Sequence, residues 1–118
     1  MMENHAYSVA SHFDEAGDND TIVSWDVVNE VFNEDGSYRG TGPTSDPTQS
    51  DGSIWYENIG SEFIEKVFIK AREADDDAEL YYNDYNLIRN TAKVNAVVAM
   101  VTDFQSRGIP IDLSLIHI

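Results

Sequence analysis

Apolar residues recur along this chain with helical and extended periods in turn. Ala6, Val9, Ala10 and Phe13 share one helix face, so residues 3–16 are read as a helix, with Gly17 as the stop and "DND" at 18–20 as a turn. "TIVSWDVV", residues 21–28, is β-branched and aromatic with little alternation, the pattern of a parallel strand covered on both faces. From Ile54 to Ala74 the helical period returns: Ile59, Phe63, Val67 and Ala71 lie at fourfold spacing with Ile64 and Phe68 beside them, and Gly60 marks a bend. "DDD" at 75–77 is a short turn into a second strand, "AELYYNDYN" at 78–86. Thr91 is placed to cap a third helix carrying Val94, Val97, Val98 and Val101. Gly108 ends that helix, Pro110 prevents its resumption, and "IPID" at 109–112 begins another strand.

The order is helix, strand, helix, strand, helix, strand, which predicts an α/β fold with parallel strands and helical crossovers. The connections are unequal. Helix returns to strand within a few residues, whereas residues 33–53, "NEDGSYRGTGPTSDPTQSDGS", form a long loop after the first strand. In α/β folds the carboxyl ends of the strands carry the functional loops. Both strands end there in polar residues: Asn29 and Glu30 on one, Asn83, Asp84 and Asn86 on the other.

Composition narrows the partners. The 118 residues suffice for one modest domain, and a hydrophobic share of 42% suffices for a core. With 22 acidic against 7 basic residues the net charge is −15, which argues against nucleic acid and anionic membrane surfaces but leaves an uncharged polysaccharide unaffected. There is no cysteine, so disulfides and thiolate metal sites are excluded. No apolar run reaches the roughly 18 residues of a membrane span. "MMENHAYSVASHF" lacks the basic flank and apolar core of a signal peptide.

Glu30 is the sharpest candidate for chemistry. A carboxyl at the end of a buried strand, framed by Trp25 and Val28, stands where a proton can be held for donation, and Asn29 beside it can orient a substrate. The alternative is a loop carboxylate of no consequence. "YYNDYN", 81–86, offers amides and aromatic faces suited to sugar hydroxyls and C–H faces, with at least one of Tyr81 and Tyr82 expected in the core. Asp84 is either a partner carboxylate for Glu30, since glycoside cleavage uses a pair, or the partner of a nearby base or backbone amide. His5 and His12 are read as exposed helix residues. The clusters "DEAGDND" and "NEDG" do not fit a calcium loop, so no metal and no cofactor are expected.

"WDVVNE", "FNEDGS", "IGSEFIEKVFIKAREADDDAELYYNDYN" and "KVNAVVAMVTDFQSRGIPID", in that order, closely resemble the family 10 glycoside hydrolases, the endo-1,4-β-xylanases, over about residues 3–112. The resemblance implies a partial (β/α)8 TIM barrel, running from about the third helix to the start of the sixth strand. It implies retaining hydrolysis of xylan or xylo-oligosaccharide, with Glu30 as general acid/base, Asn29 contacting the substrate, and Asn83, Tyr85 and Asn86 lining the leaving-group side of the cleft. On this mapping Asp84 is not the nucleophile; that role falls to a glutamate on the seventh strand, beyond Ile118. Such xylanases are generally secreted, so an extracellular location is implied.

The match departs from the family pattern in extent and at its end. A full barrel takes roughly 250 residues, so the chain is expected to be an excerpt, inactive alone. "LSLIHI", 113–118, stands where the family carries Gly-rich strand residues; its pattern is compatible with a strand, but it is expected to be a tail outside the family. An open arc of three strands is expected to expose two sheet edges and one apolar face, and to unfold without a cooperative transition. The competing class is a noncatalytic acidic module that binds calcium or carbohydrate.

Overall fold

The computed structural model describes residues 1–14, 22–40 and 52–117, with side chains for all of these but 14 and 113–117. Among the described residues four helices and three strands follow in order: α1 (Met2–Asp14), β1 (Ser24–Asn29), α2 (Ile54–Ile59), α3 (Glu62–Ala74), β2 (Glu79–Tyr85), α4 (Thr91–Arg107) and β3 (Leu113–His117). The strands form a parallel sheet in the order β1-β2-β3, as the alternation of elements predicts. The expected stop at Gly17, the turn at 18–20 and most of the long loop lie outside the described residues.

Several boundaries differ from the sequence reading, each for a local reason. The helix expected over 54–74 is divided, because Gly60 takes φ 80° and ψ −171°, a backbone conformation outside the helical region. Asn90, not Thr91, caps α4: its side chain accepts the Lys93 amide, and Thr91 is the first helical residue. Gly108 ends α4 in the left-handed conformation with φ 70°, as expected of a C-terminal glycine. "IPID" is not itself strand. The third strand begins one residue later, although the Asp112 amide already bonds the Leu80 carbonyl at 3.0 Å. Residues 113–117, expected as a tail, thus lie beside β2.

The core lies on one side of the sheet. Leu80 and Tyr82 of β2 pack with Phe63, Ile64 and Phe68 of α3 and with Val97, Met100 and Phe104 of α4. Phe68 meets Phe104 edge-on at a centroid distance of 6.0 Å. The other side of β2 carries Tyr81, Asn83 and Tyr85, all half-buried, because strand side chains alternate between faces. The uncovered face, expected to be apolar, is therefore polar and aromatic along β2. The apolar residues of this strand have already been taken up by the helices.

A buried ion pair ties α4 to β2. Lys93 Nζ lies 2.8 Å from Asp84 Oδ1, and both side chains are fully buried. Asp84 also accepts the Tyr82 hydroxyl and the Tyr85 amide. Burial, then that hydrogen bond, push the Tyr82 hydroxyl well above its ordinary pKa. Asp84 is thus the partner of a nearby base and backbone amide, and has no oxygen free to act beside Glu30. Lys93 sits in the first turn of its helix, where the helix dipole disfavours a cation, so its carboxylate partner is the reason it can be there.

Removing one member strands the other charge. Lys93→Met is expected to cost about 3–5 kcal/mol, and replacing Lys93 and Asp84 together by apolar residues to cost less than either single change. Amide hydrogen exchange of β2 in the three variants checks this; a double variant no better protected than the singles would contradict it.

Candidate active site

The two strands deliver their polar ends to the same rim. In the parallel register Asn29 is opposite Asn83, and Asn83 Nδ2 donates to Asn29 Oδ1 at 2.6 Å. The Glu30 amide donates to the Asn83 carbonyl at 2.8 Å. Asn83 Oδ1 is buried without a protein partner among the described residues, an acceptor left open beside this pair. Trp25 does not frame Glu30. It stands at the other end of β1, where its indole N–H donates to Asp75 at 2.8 Å.

Two strand-end residues leave the sheet in an unusual way. Glu30 has φ 53° and Asn86 has φ 59°, the two non-glycine residues with positive φ among those described. Asparagine adopts this region readily and glutamate does so rarely. Such a conformation costs of order 1–3 kcal/mol and concentrates at functional sites. Here it turns the chain sharply after Asn29, leaving the Glu30 side chain 36% exposed at the rim.

After Glu30 the chain doubles back. Phe32 and Tyr38 form an antiparallel bridge, the Asn33 amide bonds the Ser37 carbonyl at 2.8 Å, and the Arg39 amide bonds the Val31 carbonyl at 2.8 Å. Gly36 takes φ 82° in the turn, and a Cβ there would lie 2.9 Å from the Ala92 carbonyl oxygen. This hairpin, within the segment expected to be loop, returns Arg39 to Glu30: Arg39 Nη2 lies 3.5 Å from Glu30 Oε2 and 3.4 Å from the Tyr85 hydroxyl.

The hairpin also carries Glu34 to the second strand end. Glu34 Oε2 accepts from Asn86 Nδ2 at 2.8 Å and from Asn90 Nδ2 at 2.6 Å, and its other oxygen is 3.4 Å from Lys93 Nζ. Lys93 Nζ in turn stands 3.8 Å from the centre of the Tyr85 ring. Of the residues picked out from sequence, Asn29, Glu30, Asn83, Tyr85 and Asn86 therefore gather at one end of the sheet. Glu34, Arg39 and Lys93 were missed. The "DG" at 35–36 is a hairpin signal that would have brought Arg39 back.

An open cavity of about 740 Å³ runs along the outer edge of β1, between α1 and the start of α2. Asn29, Glu30 and Arg39 stand on its wall, which is otherwise mostly apolar. It reaches one side of the rim only. His5 and His12 are exposed on α1, and no group of His, Asp and Glu converges as a metal site among the described residues.

Glu34 carries a pH dependence. Desolvation alone would raise its pKa, but the hydrogen bonds from Asn90 and Asn86 and the charge of Lys93 together outweigh it and hold the carboxyl below its ordinary value. A folded-state value below the unfolded one means a contribution present above the ordinary carboxyl range, about 4.3 for Glu, and lost as pH falls through the lower folded value. The side-chain amide resonances of Asn86 and Asn90 should hold steady from neutrality to about that pH and move below it, and Glu34→Gln should abolish the movement. Movement at higher pH would contradict the assignment.

The chain is similar to known proteins. The sequence pattern of Glycosyl hydrolase family 10 matches residues 1–113. Endo-1,4-beta-xylanase B of Thermotoga neapolitana is 42% identical over 112 residues, which are 95% of this chain and 28% of that protein. Xylanase 10B of Thermotoga petrophila, solved with xylobiose, superposes with a TM-score of 0.78 at 38% identity, over 97% of this chain and 30% of its own. The intracellular xylanase TsXylA of Thermoanaerobacterium saccharolyticum superposes with a TM-score of 0.80 at 34% identity, over 97% and 32%. The chain thus spans about a third or less of the relatives it matches. On its sequence, its fold and these likenesses, it belongs to glycosyl hydrolase family 10.

Proposed function

We propose that the chain is the part of an endo-1,4-β-xylanase that supplies its general acid/base, and that it forms an arc of a (β/α)8 barrel from about the third helix to the start of the sixth strand. What supports this most is the meeting of Asn29, Glu30 and Asn83 at one rim: the Glu30 amide bonds the Asn83 carbonyl, and the two asparagine amides bond each other. The xylobiose bound to the Thermotoga petrophila relative supports xylan as the polymer.

The chemistry follows from the carboxyl. Glu30, protonated, donates its proton to the glycosidic oxygen as the bond to the anomeric carbon breaks, while a second carboxylate attacks that carbon to give a covalent glycosyl intermediate. Glu30, now a carboxylate, takes a proton from the water that releases the sugar. Asn29 and Asn83 supply hydrogen bonds to sugar hydroxyls, and the Tyr85 ring and Asn86 line the leaving-group side.

Retention requires the two carboxyls about 5–5.5 Å apart. Near Glu30, Asp84 is buried against Lys93, and Glu34 is held by Asn86 and Asn90. Neither is free to attack a sugar; the family resemblance implies that the nucleophile is a glutamate of the seventh strand, which these 118 residues do not include. We place the enzyme's action outside the cell, where its polymer lies; recovery of the protein from culture medium rather than from cells checks this.

Two measurements on the 118-residue chain test the reading. It should release no reducing sugar from xylan. Xylotriose should shift the backbone amides of residues 29, 30, 83, 85 and 86 more than those of the opposite rim, residues 75–77. Hydrolysis abolished by Glu30→Gln would contradict the absence of the nucleophile, and shifts confined to residues 75–77 would contradict the site.

A further inference from the structure

The candidate site takes its side chains from separate strands, and Glu30 and Tyr85 touch the same third residue. Arg39 stands between them, with one guanidinium nitrogen 3.5 Å from Glu30 Oε2 and 3.4 Å from the Tyr85 hydroxyl. Its carbon centre lies 5.9 Å from the centre of the Tyr85 ring. The guanidinium is anchored from behind, since Nε reaches the Phe32 carbonyl at 3.4 Å and the Arg39 amide bonds the Val31 carbonyl. The side chain is 20% exposed, so it is more sheltered than the Glu30 carboxyl it meets.

We propose that Arg39 is a positioning residue that couples the Glu30 carboxyl to the Tyr85 hydroxyl across the rim. The catalytic roles it serves rest on the proposed function; the coupling itself does not. A planar guanidinium presents its donors in a fixed fork, so Nη2 can face the carboxylate and the hydroxyl while Nε reaches the Phe32 carbonyl. The hairpin sets this geometry. Its turn is fixed by Gly36 against α4, and its bridge between Phe32 and Tyr38 is reinforced by stacking of their rings at 4.9 Å. The acid/base alternates between neutral and charged states during a retaining reaction. A guanidinium beside it gives the charged state a fixed partner, and Tyr85 keeps that partner from following the carboxylate into the cleft.

The experiment is a cycle of substitutions in the full 118-residue chain, read by the ¹³Cζ resonance of Tyr85, assigned by its loss in Tyr85→Phe. Glu30→Gln removes the charge that Arg39 faces, so the Tyr85 resonance should move. In the Arg39→Met background the same substitution should leave Tyr85 where Arg39→Met alone puts it. Arg39→Lys should restore part of the response, and it serves as the working variant if Arg39→Met does not fold. A Tyr85 resonance unmoved by Glu30→Gln, or moved equally with and without Arg39, overturns the coupling. Loss of folding would move every resonance, not this one selectively.

A parallel titration with xylotriose separates this proposal from the functional one. If the site binds the sugar, Arg39→Met should weaken binding by about tenfold, because Glu30 is no longer held in place for its charged hydrogen bond to the sugar. A chain that shows the coupling and binds no xylotriose would sustain the role of Arg39 and refute the site. A chain that binds xylotriose with no coupling would do the reverse.

Discussion

A backbone hydrogen bond from the Glu30 amide to the Asn83 carbonyl joins the ends of β1 and β2, and the rest of the site depends on the register it belongs to. In a parallel pair the register decides which side chains share a face, and a slip of one residue would send every side chain of a strand to the opposite face. The observed register sets Asn29 against Asn83 after an irregularity between Asp26 and Val28. That irregularity has a consequence for the rim: it lets Val28 enter the core while Asn29, next in sequence, meets Asn83 on the open side.

Behind this register stands a layer of buried polar groups. Asp84 faces the core between Asn83 and Tyr85, and its full burial is made tolerable by Lys93, Tyr82 and the Tyr85 amide. Lys93 then contacts Glu34, which holds Asn86 and Asn90. The Val31 amide completes the arrangement by donating to the Tyr82 hydroxyl at 3.3 Å. The hairpin, the end of β2 and the start of α4 are therefore joined through polar groups in a region otherwise filled by Phe32, Leu87 and Val97. Satisfied networks of this kind specify one arrangement more sharply than apolar packing does.

The elements and the rim were legible in the sequence because their signals are local. Helical spacing marks α3, a left-handed glycine marks the end of α4, and polar residues that close apolar runs mark Asn29, Glu30, Asn83 and Asn86. The break at Gly60 was legible as a bend; that it divides the helix outright, and that Asn90 is the cap, turn on single backbone angles and single hydrogen bonds, below what periodicity resolves. Arg39 and Glu34 were hidden for another reason. They lie in a polar stretch without period, and only the hairpin closure brings them to the strand ends. The polarity of the open face was readable in the alternation of "LYYNDY", but the apolar content of the chain as a whole obscured it.

The proposed reading of the rim rests on one requirement: Glu30 must sit beside Asn83. The most direct test is the scalar coupling transmitted through the hydrogen bond between the Glu30 amide nitrogen and the Asn83 carbonyl carbon, measured by NMR on the 118-residue chain. The account requires a detectable coupling and slow exchange of the Glu30 amide. Paired strands with a freely exchanging Glu30 amide and no coupling to Asn83 would contradict it.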